Sequence, residues 1–264
     1  MSLRVSAIQL DVGVDESLEE RRDRVAAAVR AEAAAGANAV LLPEMWPIGW
    51  LAFDRYDEVA EPADGPTAAF LSDLARETGT TLVGGTFVER HGDHLHNSAP
   101  VHGPDGARLA LYRKIHLFSE PDGDAAEADR MAAGEEVTVF PLAGTTVGLS
   151  ICYDLRFPEL YRRQVDAGAE ILLVVAAWPQ VRVDAWRTLI RARAIENQAA
   201  IVGCDAAGEQ AGQPYAGASL AFDARGAPLG ELGSEPGALR ALVDRADIRA
   251  ARDEFPALRD RRLV

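Results

Sequence analysis

Cysteine is nearly missing from this chain. The two that occur in its 264 residues, Cys152 and Cys204, form neither a C-x-x-C pair nor a zinc-ligand spacing. That argues against a disulfide framework and for a reducing, intracellular compartment. Positive charge is also scarce: 27 Lys plus Arg stand against 41 Asp plus Glu, a formal net charge of −14. Nucleic acid and anionic membranes are therefore poor main partners. No apolar run approaches the roughly 18 residues of a membrane span, and Met1-Ser2-Leu3-Arg4-Val5 reads directly as a strand, without the apolar core of a secretory signal. A cytoplasmic protein is expected. Neither a repeat nor a low-complexity linker breaks the chain, and its 48% apolar content is even. It reads as one domain, 1–264, with a core of about 3–243 and a tail from 244.

Strand and helix signals alternate. Residues 3–10 are β-rich, and Ser17-x-x-Glu20 forms a capping box for a helix with Leu18, Val25 and Val29 on one face, ending near Gly36. A strand at 38–42 follows, then a helix at 66–78 with Phe70, Leu71 and Leu74 inward, and a strand at 80–87. Residues 96–102 and 107–113, joined by Gly103-Pro104-Asp105-Gly106, read as an antiparallel hairpin with Lys114 at its far end. Strands at 137–140, 145–151, 171–176, 200–204, 218–222 and 238–243 are interleaved with helices at 158–167 and from Asp184, whose Trp186, Ile190 and Ala194 share a face with Leu189 beside them. The tail from Asp244 reads as a solvated extension.

Aromatic residues make up only 6% of the chain, yet all four tryptophans, 46, 50, 178 and 186, fall near three stretches that carry chemistry. Such flat apolar walls fit a substrate pocket as well as a core. The first stretch is Gly148-Leu149-Ser150-Ile151-Cys152-Tyr153-Asp154-Leu155-Arg156-Phe157-Pro158-Glu159-Leu160. Here a strand stops and a helix begins, placing Cys152 at the mouth of a sheet with backbone N–H groups facing it. Nucleophile and buried structural thiol both remain open from this stretch alone. The other two are Leu42-Pro43-Glu44, at a strand end, and Tyr112-Arg113-Lys114-Ile115-His116-Leu117-Phe118, at the end of the hairpin.

These three motifs, in this order, resemble the nitrilase superfamily of carbon–nitrogen hydrolases over about 5–243. The resemblance implies an α/β fold, a four-layer αββα sandwich, which two subunits extend to αββααββα in a homodimer or an oligomer of dimers. It implies Glu44 as general base, Lys114 as oxyanion stabiliser and Cys152 as nucleophile, with no metal and no cofactor. A second glutamate is also implied, seven residues before a glycine; Glu127 before Gly134 keeps that spacing and Glu120 does not. The oxyanion would rest on Lys114 and the N–H of Tyr153, and Trp178 would wall the substrate pocket. Cys-Tyr-Asp-Leu-Arg-Phe-Pro-Glu-Leu with Ala-Ala-Trp-Pro is most similar to the amidase branches, especially those of the omega-amidase and deaminated-glutathione type, which release ammonia from small carboxylate-bearing amides through a thioester. N-carbamoyl amide hydrolysis, nitrile hydrolysis and an inactive scaffold are the alternatives. Gly49-Trp50 and Cys204-Asp205 depart from the usual pattern of relatives, which often carry Gly-Tyr and an Asn there.

The chemistry asks for these residue types. A thiol is mostly protonated at neutral pH and needs a base or a positive charge nearby, and a developing oxyanion needs fixed donors. His116 is the rival partner for Cys152. His91, His94 and His96 read as an exposed loop without a completing metal ligand, and 119–129 as a mobile acidic loop beside the opening. Arg156 and Glu159 read as an ion pair at the helix start. Arg182 and Arg187 are the candidates for holding a substrate carboxylate.

Overall fold

The computed structural model describes residues 2–119 and 127–262. In chain order the first half runs β1 (Ser2–Gln9), α1 (Leu18–Ala34), β2 (Ala39–Leu41), α2 (Tyr56–Val59), α3 (Pro66–Thr78), β3 (Thr81–Val83), β4 (Phe87–His91), β5 (His94–His102) and β6 (Arg108–Arg113). The second half runs β7 (Val139–Leu142), β8 (Thr145–Ile151), α4 (Pro158–Asp166), β9 (Ile171–Ala176), α5 (Val183–Asn197), β10 (Ala200–Asp205), β11 (Glu209–Gln210), β12 (Gln213–Pro214), β13 (Leu220–Phe222), β14 (Pro228–Glu231), β15 (Gly237–Asp244) and α6 (Arg245–Glu254).

Local chemistry sets these boundaries. Ser17 Oγ accepts the Glu20 N–H while Glu20 Oε2 accepts the Ser17 N–H, so α1 starts on the expected reciprocal cap. Proline opens α3 and Gly79, left-handed at φ 62°, closes it. The strand expected at 80–87 is broken in two. Gly85 has φ +62° and a side chain there would begin 2.2 Å from the Pro43 carbonyl, so the backbone turns away and β4 starts afresh. That break has a use: Thr86 Oγ1 accepts the Met45 N–H and Trp46 Nε1 donates to the Gly84 carbonyl, which fixes the chain just after Glu44.

Two sheets stack face to face. One has the order β15-β1-β2-β3-β5-β4 with β6 on β5; the other is β14-β13-β10-β9-β8-β7. Within the first, β1, β2 and β3 are parallel, and within the second β8, β9 and β10 are. Val5, Ala7, Leu41 and Val83 point between the sheets and share a core with Leu149, Ile151, Leu173 and Val175. Val40, Leu42 and Leu82 face the other way, onto Val25 and Val29 of α1 and Leu71 and Leu74 of α3. On the far side, Trp186 and Ile190 of α5 and Leu160 and Tyr161 of α4 close the second sheet. The result is four layers, αββα. Among the described residues no helix is long and apolar enough to cross a membrane.

Several expectations are corrected. Leu18 is 40% exposed and outside the core that Val25 and Val29 join. Asp184 lies inside the first turn of α5, whose N-cap is Arg182. His91, His94 and His96 sit on the paired strands β4 and β5, not on a loop, and no metal-binding group of side chains exists among the described residues. The tail is not a solvated extension: α6 starts on an Asp244 cap, buries Ile248 and Ala251, and receives Gln198 Nε2 on the Ala251 and Phe255 carbonyls. Strands β11, β12 and β14 carry too few apolar residues to be seen in the sequence. The sequence pattern puts Leu160, Tyr161, Val165, Trp186, Leu189 and Ile190 on α4 and α5, more apolar surface than one sheet face is expected to cover and so an expected partner contact; the structure buries all of them within one chain except Leu189, which is part-buried against the same core. They are core, and they supply no argument for assembly.

Candidate active site

Strands β2, β6, β8, β9 and β10 end at one place, and each delivers a side chain or an amide to it. At the end of β8, Cys152 takes φ +45°, a left-handed conformation that non-glycine residues adopt at a cost. The chain then winds one 3-10 turn, Cys152–Arg156, before α4. Asp154, fully buried, holds that turn in place. Its Oδ2 accepts the Ile151 N–H at 2.9 Å and the Tyr112 hydroxyl at 2.7 Å, and its Oδ1 accepts the His116 N–H at 2.9 Å. Tyr153 N–H, the amide next to the thiol, belongs to the first turn, whose N–H groups lack acceptors within the turn. Burial above all, then the charge of Glu44, pushes the Cys152 thiol well above its ordinary pKa, and Lys114 pulls the other way.

Lys114, at the end of β6, is 1% exposed. Its Nζ donates to Glu44 Oε1 and to Glu127 Oε2, each at 2.8 Å. Burial alone would lower the ammonium's pKa, but the two carboxylates, Glu127 and Glu44, outweigh it and hold the pKa above normal. Glu44 and Glu127 are themselves fully buried. Glu44 Oε2 accepts the Ala177 N–H at 2.9 Å, and Glu127 Oε2 accepts the Phe118 N–H at 3.0 Å. Asn97 of β5 completes the cluster: its Nδ2 donates to Glu44 Oε1 at 2.8 Å and to Glu127 Oε1 at 2.7 Å. Burial first raises the Glu127 pKa, with Lys114 opposing and Glu44 adding to the rise. The arrangement is a cation between two carboxylates beside a thiol, able to hold charge fixed while a proton moves.

A cleft opens on Cys152 and Lys114, walled by Trp50, Phe118, Tyr153, Arg156, Trp178 and Arg182. Of the tryptophans, Trp50 and Trp178 face the cleft, while Trp46 and Trp186 are fully buried in the core. The Arg156 guanidinium lies 5.1 Å from the Trp178 ring and 5.9 Å from the Tyr153 ring. Among the described residues it pairs with no carboxylate, Glu159 included, so the expected ion pair is absent and the charge faces the cleft. Arg182 also lines the cleft, over the Phe118 ring at 5.4 Å. Arg187 does not, being paired with Glu231 on the surface at 2.6 Å.

The rival histidine has another task. His116 Nδ1 is 2.8 Å from Asp154 Oδ1 and its ring stacks on Phe157 at 3.8 Å, which braces the turn that follows Cys152 from outside the cleft. Glu120 and most of the acidic loop lie outside the described residues, whereas Glu127 is core rather than loop surface. Three residues escaped the sequence: Asn97 looked like any polar residue in a strand, Asp154 was hidden inside the cysteine motif, and Arg156 was given to Glu159. Only the last carried a signal, a cation four residues past the thiol.

A family model described as carbon-nitrogen hydrolase matches residues 4–253. The chain is 35% identical to a 2-oxoglutaramate amidase of Paenarthrobacter nicotinovorans, covering 98% of this chain and 90% of that one. It is 33% identical to omega-amidase NIT2 of Mus musculus, covering 99% and 95%. Among solved structures it is similar to Saccharomyces cerevisiae Nit3, a member of branch 10 of the nitrilase superfamily, with TM-score 0.89 and 28% identity over 99% and 97% of the two chains.

Proposed function

The chain belongs to the carbon–nitrogen hydrolase family, and from that premise we propose that it is an amidase acting on small amides that carry a carboxylate, of the omega-amide kind. One observation carries this: a buried Lys114 held between Glu44 and Glu127 next to Cys152, at a cleft where Arg156 presents a cation that pairs with no carboxylate among the described residues. The similarity to an omega-amidase and a 2-oxoglutaramate amidase supports the same substrate class.

The steps follow from the geometry. Glu44 takes the Cys152 proton as the sulfur forms a bond to the amide carbon. The carbonyl oxygen, now negative, is met by the Lys114 ammonium and the Tyr153 N–H, donors already fixed and therefore stabilising without reorganisation. The C–N bond then breaks, the proton held on Glu44 passes to the nitrogen, and ammonia leaves a thioester on Cys152. Water attacks that thioester with Glu44 as base, the acid product departs, and the thiol regains its proton. Glu127 and Asn97 hold Lys114 and Glu44 in register throughout. Trp178 and Trp50 wall the cleft and exclude water, while Arg156, helped by Arg182, binds the distal carboxylate by charge-assisted hydrogen bonds.

The proposal includes a single domain working in the cytoplasm as a homodimer or an oligomer of dimers. Support for the compartment is the acidic, cysteine-poor composition, and for the assembly, the family resemblance; light scattering tests the latter. An ammonia-release screen over omega-amides of dicarboxylates, N-carbamoyl amino acids and nitriles tests the substrate class. Fastest turnover is expected with the omega-amides. Preference for an N-carbamoyl acid or a nitrile would reassign the enzyme within its family.

A further inference from the structure

The carboxyls of Glu44 and Asp205 hang from consecutive backbone amides. The Ala177 N–H donates to Glu44 Oε2 at 2.9 Å, and the Trp178 N–H to Asp205 Oδ1 at 2.6 Å. The two groups are otherwise treated oppositely. Glu44 also receives Lys114 and Asn97, whereas Asp205, fully buried at the end of β10, enters no ion pair among the described residues. Its Oδ1 accepts a second N–H, from Ala206 at 2.9 Å, and its Oδ2 is buried with no partner among the described residues. A carboxylate so placed would carry an uncompensated charge out of water, which costs far more than keeping a proton. With Oδ1 occupied by two donors, that proton has room only on Oδ2.

We propose that Asp205 is a positioning residue in its neutral form: it pins the Ala177–Trp178 backbone that serves Glu44 and walls the cleft, and loss of its proton sets the alkaline limit of activity. The groups facing it from each neighbouring element are all acidic or neutral. They are Glu44 after β2, Cys152 after β8, Cys204 on β10 itself and Tyr215 before β13. Lys114, the nearby cation, is already shared by two carboxylates. Burial, and then the charge of Glu44, hold the Asp205 carboxyl well above the usual range, against the pull of its two N–H bonds. Once ionised, Asp205 would place negative charge beside the site where the sulfur and the oxyanion must both turn negative, and the rate would fall.

The activity consequence rests on the amidase function proposed above; the protonation does not. Asp205→Asn keeps an acceptor at one position and a donor at the other, without the ionisation. On the alkaline side of the pH profile, wild-type kcat/KM is expected to drop about tenfold per pH unit beyond the limit, while D205N declines later or less steeply. The stability arm needs no substrate. A native state that retains a proton the unfolded chain gives up above about pH 4 loses stability as pH rises. The Tm of D205N relative to wild type should therefore climb steadily between about pH 5 and 8. The carboxyl 13C shift of labelled wild type should meanwhile report a protonated aspartate at neutral pH. A pH-independent Tm difference, an ionised carboxyl signal, or a D205N protein that does not fold would overturn the proposal. If stability and 13C behave as expected but no amide is hydrolysed, the amidase assignment fails and the neutral acid stands.

Discussion

Glu44 and Glu127 accept hydrogen bonds from the same two donors, the ammonium of Lys114 and the side-chain amide of Asn97. Two buried carboxylates this close repel, and one cation lies between them. Asn97 adds a second link with a single Nδ2, which donates to Glu44 Oε1, the oxygen Lys114 also holds, and to Glu127 Oε1, which Lys114 leaves free. Asn97→Leu should lower kcat about 100-fold, because Glu44 and Lys114 lose their mutual alignment, and should destabilise the fold by about 1–3 kcal/mol. Steady-state kinetics and denaturant melts check both, and unchanged kcat would show the link to be idle.

Glu127→Gln is expected to slow acylation by about 100-fold or more. As a loop acid Glu127 would matter little to stability, but it is core, and a Gln amide must turn its donor either toward Asn97 Nδ2 or toward both Lys114 and the Phe118 N–H. A loss of about 1–3 kcal/mol should accompany the kinetic defect. Single-turnover acylation and urea melts measure the pair. Glu120→Gln is the comparison, and greater damage there would move the assignment to Glu120.

If Arg156 binds the distal carboxylate, Arg156→Gln removes a charge-assisted contact of about 1.5–3 kcal/mol. KM for a carboxylate-bearing amide should rise roughly 10- to 150-fold, and KM for an uncharged amide should rise much less. Equal effects on both substrates would mean that Arg156 shapes the cleft without reading the carboxylate.

Tyr161 is buried, its Oη 2.7 Å from Ser150 Oγ and its ring 5.4 Å from the Arg193 guanidinium. Tyr161→Asp should therefore unfold the chain, at a cost above about 3 kcal/mol, instead of splitting an oligomer. Thermal melts with light scattering distinguish the two, and a folded, smaller, active species would return Tyr161 to an interface.

Much of this was legible because local rules and burial agree. The helix Pro66–Thr78 has proline at its start and a left-handed glycine after its end, strand Thr145–Ile151 sets Val147, Leu149 and Ile151 at alternate positions, and strand Ile171–Ala176 is an unbroken apolar run. Glu44, Lys114 and Cys152 could be picked out since each closes a β-rich run. What stayed hidden depends on distant partners. Asn97 acquires meaning only when β5 brings it between residues 44 and 127, and Asp154 only when Tyr112 and His116 reach it. Helix α6 is rich in charge and buries just Ile248 and Ala251, so the tail reads as solvated in the sequence, whereas Gln198 and Arg252 tie it to the body.

The central claim is that hydrolysis proceeds through a thioester on Cys152. Cys204 is the internal control: fully buried, its thiol directed at the Ile8 and Leu41 carbonyls, it is held high in pKa by burial and should react with nothing. The most direct measurement is mass spectrometry of enzyme quenched in acid during turnover of an omega-amide, followed by peptide mapping. The account predicts an adduct equal to the substrate less ammonia on the Cys152 peptide, lost together with turnover in Cys152→Ala and retained in Cys204→Ala. Turnover that persists in a folded Cys152→Ala protein, or an adduct that maps to Cys204, would contradict it.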